Sequence, residues 1–103
     1  PNIVEKQNLV EKLIEDLKAA NLRCYGLSRV GDKVCLLYDE SRVDADKLNP
    51  IKDKYHSTFS IAQTIAVRTE DLHDFGFKRE DIREEDWSVL ELECEVVTFS
   101  LKK

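Results

Sequence analysis

Between residues 2 and 21 the apolar positions Val10, Leu13, Ile14, Leu17 and Ala20 recur at steps of three and four, and Ile3 and Val4 open the same stripe. Glu5, Lys6, Glu11, Lys12, Glu15, Asp16 and Lys18 fill the opposite side. The pattern predicts an amphipathic helix of about five turns. Asn2 is placed to cap its first turn, with Glu5 three residues on to reach back. Asn21 tolerates the left-handed backbone that ends a helix. Such a stripe needs a sheet to cover it.

The period then changes from helical to alternating. Gly31-Asp32 fits a two-residue hairpin turn, which sets Leu27 opposite Leu36, Tyr25 opposite Tyr38 and Arg23 opposite Glu40 on one face. Cys24, Gly26, Ser28, Cys35 and Leu37 fall on the other. The segment 41–57 is polar, with Leu48, Ile51 and Tyr55 spaced for a short helix and Pro50 behind Asn49 as a first-turn proline. Phe59, Ile61, Ile65 and Val67 then alternate with small or polar residues, predicting a strand flawed by Gln63 on its apolar side. At 69–76 Thr69 is expected to cap a helical turn or two that bury Leu72 and Phe75 and end at Gly76, with Phe77 packing back.

The last element reads as a strand: Leu90, Leu92, Cys94 and Val96 alternate with Glu91, Glu93 and Glu95. Beyond Val96 the apolar phase flips to Val97, Phe99 and Leu101. A bulge, or coverage of the strand's end on both faces, would produce that flip. The predicted fold class is therefore α+β, one domain over residues 1–103. An N-terminal amphipathic helix packs on a mostly antiparallel sheet of about four strands, with one or two short helices. Leu13, Leu17, Leu36, Leu92 and Val96 are expected in its core.

Composition refines the picture. Of 103 residues, 42% are apolar and 36% charged, with signs mixed along most of the chain, as in a well-solvated globular domain. No apolar run reaches the ~20 residues that span a bilayer. Residues 1–12 hold no signal-peptide stretch, and Pro1 suits a chain whose initiator Met has been removed. Cys24, Cys35 and Cys94 sit in apolar contexts without close spacing, which points to reduced structural thiols and a cytoplasmic setting. His56 and His73 have no metal-ligand spacing, and neither they nor the cysteines form a catalytic signature. The three glycines make no phosphate-binding loop. No basic, aromatic-studded face for nucleic acid is present, and the tyrosines at 25 and 38 are each expected beside both an Arg and a Glu. No cofactor is expected.

Charge is uneven along the chain. Its net value is −5, yet residues 70 to 95 hold eleven acids against three bases. A concentrated acidic surface speeds association with a basic partner and repels nucleic acid. The expectation is thus a non-enzymatic cytoplasmic protein-binding module, of which an inhibitor or immunity-type protein is one form. Glu80, Asp81, Glu84, Glu85, Asp86, Glu91 and Glu93 are its candidate partner-binding residues. The alternative is a regulatory or structural subunit that dimerises through a sheet edge or the exposed part of the first helix. An enzyme without a recognisable motif comes third.

Overall fold

Asn2 Oδ1 accepts the Glu5 amide at 2.8 Å and so starts helix α1 (Ile3–Ala19). Asn21, at φ 54°, turns the chain away in the left-handed conformation that Asn tolerates. The structure, a computed structural model, describes residues 2–22, 24–38, 45–87 and 94–102. After α1 come β1 (Gly26–Val30), β2 (Lys33–Tyr38), helix α2 (Ala45–Tyr55) and β3 (Phe59–Val67). Three 3-10 turns follow, at Thr69–Phe75, Arg79–Asp81 and Glu84–Asp86, and then β4 (Cys94–Leu101). The four strands form one antiparallel sheet in the order β1-β2-β4-β3. The expected α+β architecture is the observed one.

The sheet lies between two unlike layers. On one face α1 and α2 deliver Val10, Leu13, Leu17, Leu48, Ile51 and Tyr55 onto Leu36, Tyr38, Phe59, Val97 and Phe99. On the other, the 3-10 segment lays Leu72, Phe77 and Ile82 on Cys35, Leu37, Cys94 and Val96. Central β4 is thereby covered on both faces, and Val96, Val97 and Phe99 are all fully buried. This accounts for the flipped apolar phase. The β2–β4 register runs without a break from Leu37↔Val96 to Leu36↔Val97, so no bulge is needed there.

The bulge lies in β3 instead. Thr64 pairs with Val96 but Val67 pairs with Cys94, so β3 spends one extra residue, and Ala66 takes φ 57°. The slip carries Val67 to the 3-10 face and leaves Ile65 66% exposed, where alternation had placed it inside. The hairpin turns at Gly31-Asp32 as expected, with Leu27 opposite Leu36. Tyr25 departs from the expected ladder. Its amide donates to Leu37 O at 2.7 Å although Leu37 already faces Gly26, and the slip turns its ring into the 3-10 face. Arg23, Glu40, Leu90 and Leu92 lie outside the described residues.

Two helix boundaries also differ from expectation. Pro50 sits inside α2 rather than in its first turn, since the helix already begins at Ala45. Thr69 does not cap the first 3-10 turn; Arg68 holds that position without a side-chain hydrogen bond. Gly76 does end that turn, at φ 84°, and the Phe77 amide donates back to Leu72 O at 3.2 Å.

Candidate interaction surface

Acidic residues at 80–86 decorate two consecutive 3-10 turns, and the structure ties most of them to local partners. Asp81 Oδ2 accepts the Lys78 amide at 2.9 Å, which fastens the second turn. Arg79 meets Glu84 at 3.0 Å while its guanidinium lies over the Trp87 ring, 5.0 Å from the centroid. Arg83 bridges Glu85 and Asp86, each at 3.1 Å. Asp86 is buried, so it does not share the exposure of Glu80, Glu84 and Glu85. Its hydrogen bond and charge, with that of Glu85, push the Arg83 pKa up. Glu80 has no ion-pair partner among the described residues. Glu91 and Glu93 lie outside those residues, and Glu95 belongs to another face altogether.

Glu95 stands opposite Tyr38 and beneath Gln63, whose side-chain amide donates to Glu95 Oε2 at 2.8 Å. Burial, and then the facing Glu95 carboxylate, push the Tyr38 pKa up. A polar row thus crosses β2, β4 and β3 on the helix-covered face and ends at the outer strand. Gln63, read from alternation as a flaw, is the end of that row.

The outer strand is the less guarded surface. Residues 57–67 carry no charge, the longest such run in the chain, and β3 contains neither Pro nor Gly. Thr58 O accepts the Lys102 amide at 3.0 Å, which fixes the parity of the β3–β4 ladder. Even-numbered residues bond inward to β4, so the N–H and C=O of Phe59, Ile61 and Gln63 point outward. Among the described residues no element lies along that side, and residues 62–66 are all exposed. Natural edges are usually blunted by charge, Pro, shortness or a bulge. Here only the bulge near Ala66 does so. The opposite edge, β1, is five residues long, carries Arg29 and is tied down by Ser28 Oγ donating to Phe75 O at 2.7 Å. Composition alone would have drawn attention to 57–67 had absence of charge been weighed as carefully as its excess.

A cleft of about 540 Å³ lies between the first half of α1 and the β1–β2 turn. Its wall combines exposed Ile3 with Lys6, Arg29 and Asp32, and holds no cysteine or histidine. Among the described residues no group of three His, Cys, Asp or Glu side chains is placed to hold a metal ion. His73 pairs with Asp74 at 3.1 Å on the open surface. Among the described residues no helix is long and apolar enough to cross a membrane. Comparison of the chain with protein families, with curated proteins and with solved structures found no match.

Proposed function

We propose that this chain is a non-enzymatic protein-binding module, and that it binds by accepting an extended strand along the outer edge of β3. The observation that supports this most is the uncharged nine-residue edge with outward-directed backbone groups at Phe59, Ile61 and Gln63. Main-chain hydrogen bonds supply affinity in strand addition, and alternate side chains supply selectivity. A cytoplasmic setting is part of the same proposal, supported by Cys24, Cys35 and Cys94, which form no disulfide among the described residues.

A second reading keeps the acidic turns as the surface for a basic partner. The exposed carboxylates of Glu80, Glu84 and Glu85 favour it, while the ion pairs to Arg79 and Arg83 offset part of their charge. Affinity capture from the native host separates the two. Capture should fail with Ile65→Lys, which puts a charge on the edge, and survive reversal of Glu80, Glu84 and Glu85 to Lys. The opposite result would move the function to the acidic turns.

A further inference from the structure

Given an edge that accepts a strand, we propose that the strand is β3 of a second copy, antiparallel, about a two-fold axis at Gln63. The sequence of β3 carries the argument. Read outward from Gln63 in either direction, it gives a small residue (Ala62, Thr64), an isoleucine (Ile61, Ile65), a small residue (Ser60, Ala66) and a large apolar one (Phe59, Val67). Two copies related by a two-fold axis must present the same patch to each other. With Gln63 facing Gln63, each Ile61 meets the other copy's Ile65, and each Ala62 meets the other copy's Thr64. Moving the axis to Ala62 or Thr64 sets Gln63 against an isoleucine instead.

Backbone parity is compatible with this register but does not choose it. Ile61 and Gln63 point outward, and any two-fold axis on a residue of β3 pairs outward positions with one another, so the choice of Gln63 rests on the side-chain pairing. The bulge bounds the ladder, because the turn of the backbone at Ala66 stops regular pairing beyond Ile65. Each copy therefore contributes chiefly residues 61–65. That is a small interface, of the kind that gives a weak, concentration-dependent dimer.

Charge argues for the same occupant. Each chain carries −5, so two copies repel unless their acids are kept apart. The acidic turns pack against Tyr25 and Gly26 beside β1, at the opposite end of the strand order from β3. Joining at β3 places them as far apart as the sheet allows.

Sedimentation of the purified chain over a wide concentration range tests this. Mass should rise toward twice the monomer value and no further. Ile65→Lys, at an exposed position, should leave folding intact and weaken self-association at least ~10-fold. Ala62→Glu and Thr64→Lys should each weaken it, and an equimolar mixture should recover, because the new Glu then faces the new Lys. Failure to recover, with Ile65→Lys still disruptive, overturns the Gln63-centred register. A strictly monomeric wild type, or growth beyond a dimer, overturns the homodimer. If the wild type is monomeric but host capture still fails with Ile65→Lys, the edge reading stands with a different strand; if neither mass nor capture responds, both readings fall.

Discussion

The Tyr55 hydroxyl donates to Asp16 Oδ2 at 2.5 Å, and Lys54 Nζ reaches the same oxygen at 2.9 Å. One carboxylate on the polar flank of α1 thus fastens the last turn of α2, and the two helices cover the sheet as a pair. The Lys54 hydrogen bond, then that of Tyr55, hold the Asp16 pKa below the usual carboxylate value. Folded protein therefore binds fewer protons at Asp16 than unfolded protein does. Its stabilising share is present above the unfolded pKa near ~3.9 and is lost as pH falls through the lower folded value. Asp16 is partly solvated, so Asp16→Asn should cost only about 1–2 kcal/mol at neutral pH. Denaturant melts at neutral and acid pH should converge for wild type and variant. Equal gaps at both pH values would remove Asp16 from the acid limb.

Alkaline stability should depend on Tyr38. Burial first, then the charge and hydrogen bond of Glu95, push its pKa up to about 12. A raised pKa means that the contribution is complete below the unfolded value near ~10 and disappears as pH climbs through the folded one. Phenolate absorbance should therefore appear late, together with loss of structure. Tyr38→Phe should flatten the stability profile between those two pH values. A tyrosine that ionises there with the fold intact would show that the row from Tyr38 to Gln63 is open to water.

The α1 stripe divides into a core part and a bare part. Leu17 is buried, and Leu17→Ala should cost about 2–5 kcal/mol through lost burial and the cavity left behind. Ile3 and Val4 continue the same stripe but are 74% and 63% exposed, so Ile3→Ser or Val4→Ser should stay within about 0.5 kcal/mol. Chemical denaturation of the three variants checks both statements. A loss below ~1 kcal/mol for Leu17→Ala would mean that the helix is not the lid of this core.

Local chemistry made much of this fold legible, and tertiary context hid the rest. Asn2 acts through its own side chain, and Asn21 and Gly31 through their own backbone, so their roles follow from residue type. Leu27 and Leu36 meet because a two-residue turn fixes a register. Alternation failed at Tyr25 and at Ile65, where a single extra residue on one strand reverses every side chain beyond it, and nothing in residue type announces the slip. Val97 looked out of phase after Val96 because the 3-10 layer covers β4 at Cys94 and Val96 while the helices cover it from Val97 onward. For the candidate surface, counting acids located the turns at 80–86 but could not show that Arg79 and Arg83 fold back onto them. The open edge of β3 was visible as a strand but not as an edge, since strand order is set by partners far away in sequence.

The five acids at 80–86 should separate by structural role, which also tests whether their charge is available to a partner. Glu84 and Glu85 form exposed ion pairs with Arg79 and Arg83, and such solvated pairs contribute little to stability. Glu80 makes no ion pair among the described residues. Reversing all three to Lys should therefore change the melting temperature little. Asp86 differs because it is buried and accepts from Arg83 Nε at 3.1 Å. Arg83 is largely exposed and is rehydrated when the carboxylate goes, so Asp86→Ala should lower stability more than the Glu reversals only through the lost anchoring of the turn. Salt supplies the second axis. Exposed carboxylates that steer a basic partner act over the Debye length, which shrinks from about 8 Å at physiological salt to about 3 Å at 1 M. Association with a partner captured through these turns should then slow steeply with salt while dissociation changes less. Association through the β3 edge should not slow with salt, because no charge lies along that strand and screening only eases the repulsion between two acidic copies. If the triple reversal unfolds the domain, the acids are structural ties, and their excess in the sequence carries no message about a partner.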